Sequence, residues 1–152
     1  MTSPLYVTNS IIIKAPKEKV WQALTDPDQT EKYMFGCRTD SDWKVGSQLL
    51  WKGKYEGKEM VFVKGTITTF DAPNKLVYTT FDPNGSIEDI AENYLSVTYS
   101  LTEDNGQTTL TVSQGDYSKV AEGSKRYEET YNGGEGWNPI LLKIKLLFNE
   151  GV

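Results

Sequence analysis

The chain reads as an α+β fold in which an antiparallel sheet of about six strands is covered on one face by a long C-terminal helix, with two short helices after the first strand. Three observations predict it. Apolar and polar residues alternate with period two near the start and again repeatedly between Gly46 and Val112. Proline and acidic cap residues punctuate a helical stretch between Pro16 and Gln29. Late in the chain Trp137, Leu141, Ile144 and Phe148 recur at helical spacing and make one apolar stripe.

Taken in order, Leu5, Val7, Ile11 and Ile13 alternate with Thr8, Ser10 and Lys14, as in a half-buried strand. Pro16 suits the first position of a helix, where its missing N–H costs nothing. Val20, Ala23 and Leu24 then recur at helical spacing with Trp21 beside them. Pro27 ends that helix, and Asp26 with Gln29 three residues on reads as the cap of a second short one.

From Gly46 the period changes to two. Leu49, Trp51 and Tyr55 share one parity, and Glu56-Gly57-Lys58 turns the chain. Val61, Val63 and Ile67 fall on one face of the next strand, with Gly65 leaving space there. After the turn at Asp71-Ala72-Pro73-Asn74, Leu76, Tyr78 and Thr80 alternate with Val77, Thr79 and Phe81. Asp82 to Glu92 is the longest irregular segment. Leu95, Val97, Tyr99 and Leu101 form the next strand, and Asn105-Gly106 joins it to Leu110 and Val112 because both turn residues tolerate positive φ. The charged stretch Tyr117 to Tyr131 holds a short surface helix despite Gly123. Asn132 with Glu135 offers a cap, and Pro139 belongs in the first turn of the final helix, which puts its start near Gly134 to Gly136.

The 152 residues are read as one domain, 1–152, with no linker or repeat. With 38% hydrophobic and 24% charged residues, the composition is that of a globular chain able to bury a core. The net charge is -5 and the arginines are Arg38 and Arg126 alone, which argues against nucleic acid or an anionic membrane as partner. The N-terminus lacks the charged start and apolar run of a secretory signal, and no apolar stretch approaches the ~20 residues of a membrane span. Cys37 is the single cysteine, so no internal disulfide forms and a cytoplasmic location is expected.

Histidine is absent. That removes the commonest general base, every histidine-based triad and the usual zinc ligands. No catalytic residue, metal or cofactor is therefore assigned. Glu88, Asp89 and Glu92 cluster in the irregular segment but lack a calcium-loop pattern and read as solvated charges. Glu128 and Glu129 beside Lys125 and Arg126 read the same way, and Lys143 and Lys145 suit the water-facing end of the last helix.

Several segments carry a resemblance to a known family. They are Ile11-Ile12-Ile13-Lys14-Ala15-Pro16, Val20-Trp21-Gln22-Ala23-Leu24-Thr25-Asp26-Pro27 and Asp42-Trp43-Lys44-Val45-Gly46-Ser47. Gly65-Thr66-Ile67, Pro73-Asn74-Lys75-Leu76-Val77-Tyr78, the strands Val97 to Leu101 and Thr109 to Val112, and Gly136-Trp137 follow. Together these resemble homologues of the C-terminal domain of the ninety-kilodalton heat-shock chaperone's ATPase activator, within the START-like (SRPBCC) superfamily. The resemblance covers almost the whole chain. It implies a helix-grip fold, with a cavity between the sheet and the gripping helix. The eukaryotic activator carries a separate N-terminal domain that this chain, read as one domain, does not match.

On that fold the strand parities place Trp51, Val63, Tyr78, Val97 and Tyr99 on the concave face, opposite Trp137, Leu141 and Ile144 of the final helix. Tyr33 and Trp43 would close the mouth. These residues either fill the core outright or line a pocket for a small apolar or amphipathic molecule. The surplus of large aromatics around a concavity that one helix must cover favours the pocket. The alternative is a protein-interaction domain of co-chaperone type, which an exposed apolar patch at Phe62 and Phe81 on the outer face would favour. An enzyme ranks third, for want of a base inside the cavity.

Overall fold

The computed structural model describes residues 3–148. The chain runs β1 (Val7–Ile13), α1 (Lys17–Thr25), α2 (Pro27–Tyr33), β2 (Arg38–Ser41), β3 (Gln48–Tyr55) and β4 (Lys58–Asp71). It continues through β5 (Lys75–Thr80), β6 (Leu95–Asp104), β7 (Gln107–Gly115), α3 (Gly123–Tyr131) and α4 (Asn138–Leu146). The strands form one seven-stranded sheet in the order β1-β7-β6-β5-β4-β3-β2, every neighbouring pair antiparallel. It is a meander from β2 to β7 with β1 returned to the far edge. No described helix is long and apolar enough to cross a membrane.

Alternation decides which side of the sheet is covered. Along β6 the residues Leu95, Val97, Tyr99 and Leu101 are buried while the intervening ones are half-buried. The hairpin to β7 turns on Asn105 and Gly106, with φ of 54° and 78°, as two-residue turns require. Asp26 caps α2 by accepting from the Asp28 N–H at 3.0 Å, and the Gln29 side chain bonds back to it at 3.2 Å. Pro16 stands one position before α1, as its N-cap.

The sheet has one strand more than expected. β2 reads Arg-Thr-Asp-Ser, with no apolar alternation to signal it, and exists because it pairs with Lys52 to Leu49 of β3. Thr30 anchors this edge: its fully buried hydroxyl donates to the Cys37 carbonyl at 3.0 Å, and the Thr39 hydroxyl donates to the Thr25 carbonyl at 2.9 Å.

The last helix is shorter than the apolar stripe suggests. α4 begins after Trp137, with Pro139 in its first turn, and runs to Leu146, leaving Phe148 beyond it. The segment before it forms only a 3-10 turn, Asn132–Gly134, and cannot extend α4 as a right-handed α-helix because Gly133, Gly134 and Gly136 have φ of 66°, 105° and 51°. Gly136 has a further constraint: a Cβ there would meet Asn9 Oδ1 and lie 2.9 Å from Val7 Cγ1. Residues 149–152 lie outside the described residues.

A β-bulge changes the parity of β4. Trp51 pairs with Val63 but Lys52 pairs with Val61, so Phe62 is the extra residue and Val61 leaves the face it was expected to share with Val63. Phe62 turns instead over Gly53, whose Cβ position lies 2.7 Å from the ring. Phe81 is 4% exposed and stacks on Tyr94 with ring centroids 4.8 Å apart. Phe62 and Phe81 thus form no exposed patch of the kind that would favour a protein partner.

A cavity between the sheet and the helical layer

Helix α4 buries Leu141 and Ile144 against the sheet. Because it is short and preceded by the glycine-rich turn, it leaves part of the concave face uncovered. There the structure holds a cavity of about 820 Å³. Trp51 of β3, Phe62 and Val63 of β4, and Tyr78 and Thr80 of β5 make its sheet side, with Leu95 and Val97 of β6 and Gln114 of β7. Trp137 and Ile140 descend from the start of α4, and Met34, Phe35 and Cys37 come from the loop after α2. Arg126, Glu129 and Thr130 of α3 form the remaining wall.

Of the residues expected to face the concavity, the fold brings Trp51, Val63, Tyr78, Val97 and Trp137 to the cavity. Tyr99, Leu141 and Ile144 are each at most 1% exposed and belong to the packed core behind it. Neither expected mouth residue stands at the mouth. Tyr33 is 1% exposed and its hydroxyl donates to the Ala23 carbonyl at 2.7 Å. Trp43 packs on Phe70, which also meets Trp21 edge-on, away from the cavity. The opening is marked instead by exposed Phe35, Asp82, Glu129 and Asn132.

Polar atoms are few inside and held in place. The Trp137 indole N–H donates to Gln114 Oε1 at 3.0 Å, and its backbone N–H donates to Asn9 Oδ1 at 2.9 Å. The Tyr78 and Tyr99 hydroxyls are 2.7 Å apart and hydrogen bonded. Burial pushes the ionisation of both phenols well above the ordinary tyrosine range, so both are neutral at physiological pH. Burial likewise raises the Cys37 thiol.

Arg126, read from the sequence as an ordinary exposed charge, has a structural role. Its guanidinium donates to the Asn93 carbonyl at 3.1 Å, and Asn93, 6% exposed, also accepts from the Ala121 N–H at 3.0 Å. The Tyr117 hydroxyl donates to Thr130 at 2.7 Å, and Tyr127 packs edge-on against Tyr117. The segment from Gly115 to Tyr131 thereby becomes a cavity wall. Asp89 pairs with Lys64 at 2.5 Å and accepts from Tyr94 at 2.7 Å. Among the described residues no group of three or more metal-ligating side chains converges.

The sequence signalled part of this lining. Leu95 shares the parity of Val97 and could have been included. Phe62 was hidden by the bulge, and Met34, Phe35 and Cys37 lie in a loop with no period to read. Gln114 is polar on an otherwise apolar row, and only its partner Trp137 explains it.

A curved antiparallel sheet closed by a terminal helix over such a cavity defines a START-like, helix-grip protein. The chain belongs to the family described as Activator of Hsp90 ATPase homolog 1-like protein, whose profile matches residues 14–149. It is similar to ChR145 from Cytophaga hutchinsonii, whose solution structure is 35% identical, with a TM-score of 0.69 over 97% of this chain and 99% of that one. Protein Ms6760 from Mycobacterium smegmatis shares the fold at 20% identity, with a TM-score of 0.72 over 98% of this chain and 93% of that one. So does PFC0360w, an HSP90 activator from Plasmodium falciparum, at 17% identity and a TM-score of 0.65 over 94% and 95% of the two chains. No protein of curated function matches the chain.

Proposed function

We propose that this protein binds a small apolar or amphipathic molecule in the cavity between the sheet, α3 and α4. The observation that carries this reading is the cavity itself: about 820 Å³, walled by Trp51, Phe62, Val63, Val97 and Trp137. Sites for small organic molecules fall at roughly 300–1,000 Å³ and combine apolar walls with a few placed polar groups. A guest burying ~250 Å² of apolar surface gains on the order of 6 kcal/mol gross, before the cost of association. That is less than the ~8.2 kcal/mol of micromolar affinity, so binding at that level needs more buried surface or hydrogen bonds from the placed polar groups.

The test is a thermal-shift screen of delipidated protein against apolar and amphipathic compounds. A ligand at about a hundred times its dissociation constant adds ~2.7 kcal/mol, a readily visible rise in melting temperature. The shift should disappear in a folded Trp137→Ala variant. A screen that moves no midpoint would remove the reading.

A second reading, a co-chaperone type of interaction domain, draws on the family description and on one surface feature. Phe35, Leu142 and Leu146 are 77%, 55% and 63% exposed, the two leucines one turn apart on the outer side of α4. Co-elution with a heat-shock chaperone that is lost in Leu142→Asp would support it. Unchanged co-elution would not.

A further inference from the structure

Hydrogen-bond accounting around the cavity points to the chemistry of its occupant. Tyr33, Tyr78 and Tyr99 are each at most 2% exposed. The Tyr33 hydroxyl uses its hydrogen on the Ala23 carbonyl. Tyr78 and Tyr99 share one hydrogen bond, so of their two hydroxyl hydrogens one has no acceptor among the described residues. Where that hydrogen resides is an energetic question.

If Tyr78 were the donor, the idle hydrogen would sit on Tyr99. That side chain is 1% exposed and does not line the cavity, and an unmet O–H there carries the full desolvation penalty. With Tyr99 as donor the idle hydrogen falls on Tyr78, which is 2% exposed but belongs to the cavity lining, so that an acceptor for it can come only from an occupant. Burial keeps both phenols protonated, so Tyr78 acts as a donor and not as an anion.

A second donor lies in the same transverse row of the sheet. Tyr78 pairs with Val97, and Val97 pairs with Gln114. The Gln114 carbonyl oxygen is engaged by the Trp137 indole, which leaves its amide N–H groups without a partner among the described residues. The carboxylates of the lining, Asp82 and Glu129, are exposed at the mouth and outnumber the one cation there, Arg126. An anionic occupant is disfavoured by that balance, and a neutral acceptor is not.

We propose that the molecule held here is a neutral apolar compound bearing a carbonyl-type acceptor, which takes its hydrogen bond from the Tyr78 hydroxyl. This rests on the small-molecule reading above. It excludes plain hydrocarbons and free fatty carboxylates as the preferred class.

The test uses acetylnaphthalene and ethylnaphthalene, matched in shape and differing in the ketone, with binding read as the change in the emission of the four tryptophans, of which Trp51 and Trp137 border the cavity. Tyr78→Phe should weaken the ketone by roughly 3- to 10-fold, the factor of one hydrogen bond, and leave the hydrocarbon unchanged. Infrared spectroscopy supplies a second readout needing no variant: the carbonyl stretch of the bound ketone should move to lower frequency than in alkane solution. Equal weakening of both probes, or a carbonyl band at its alkane position in the wild-type complex, would overturn the inference while leaving small-molecule binding intact. Failure of both probes to bind would instead remove the cavity reading, and this inference with it.

Discussion

The carbonyl oxygen of Thr79 occupies the space that a Cβ on Gly65 would fill, and the Thr79 hydroxyl lies 3.0 Å from the same point. That hydroxyl also accepts from the Thr66 N–H at 2.9 Å, so β5 is drawn unusually close to β4 at the start of the register shift between Ile67 and Thr69. No side chain fits between the two backbones. Gly65→Ala should therefore cost at least ~3 kcal/mol or prevent folding. Gly85, where a Cβ meets nothing nearer than 3.8 Å, is the control, and its alanine variant should change stability by less than about 1 kcal/mol. Urea unfolding compares them, and equal midpoints would contradict the close approach.

The direction proposed for the Tyr78–Tyr99 hydrogen bond, with Tyr99 as donor, predicts unequal costs for removing either hydroxyl. Tyr78→Phe leaves the buried Tyr99 O–H without an acceptor, a penalty of about 1–3 kcal/mol. Tyr99→Phe leaves Tyr78 facing the cavity and forfeits only the net bond, about 0.5–1.5 kcal/mol. Tyr78→Phe should be the more destabilising in urea, and the reverse order would mean that Tyr78 donates.

Stability should fall in alkali. Burial raises the ionisation of Tyr33, Tyr78 and Tyr99 in the folded state above the ordinary value of 10.0. In the unfolded chain the same phenols ionise near ~10. The stabilisation tied to their neutral forms is thus complete below about pH 10 and is lost progressively above it. The urea midpoint measured against pH should decline from there upward, with phenolate absorbance from these three tyrosines appearing only as the protein unfolds. Their ionisation in the folded protein would contradict the burial.

Cys37 serves as a reporter of the cavity. It is 7% exposed, borders the cavity and has its thiol raised by burial. Because the thiolate is the reactive form, charged thiol reagents should label it more slowly than an unfolded control by about tenfold or more. A compound seated in the cavity should slow labelling by small neutral reagents further. Labelling indifferent to such a compound would place it elsewhere.

Helix α3 has no fully buried residue of its own and is held to the fold by side-chain bonds and by the packing of Tyr127 on Tyr117. Asn93 is central, linking the Ala121 N–H and the Arg126 guanidinium to the segment before β6. Arg126→Ala, which removes the guanidinium bond to the Asn93 backbone carbonyl, should cost about 1–3 kcal/mol and raise amide exchange across Gly123–Tyr131 ahead of the sheet. Protection of α3 unchanged from the wild type would show that another contact holds this wall.

Much of the fold was legible because its signals are local. Parity in β1, β5, β6 and β7 reports a sheet with one covered face, and Asp26 with Pro27 announces α2 through its own backbone chemistry. Three elements escaped for physical reasons. β2 is polar and is formed by its neighbour. Phe62 changes sides because one extra residue in β4 reverses the alternation beyond it. α4 is short because Gly136 packs against Asn9 and Val7, a contact between residues far apart in sequence.

The sequence by itself determined the class of protein: period and turn chemistry lead to an α+β chain, and the resemblance of its motifs leads to the helix-grip family, because each depends on residues close along the chain. Only the tertiary structure decided which aromatics line a cavity and which are plain core. Tyr78 and Tyr99 have the same parity and the same chemistry, yet only Tyr78 borders the open space. A cavity is the volume that distant elements together fail to fill, here β3 to β7 below, α3 at the side and a shortened α4 above, and no local pattern encodes it.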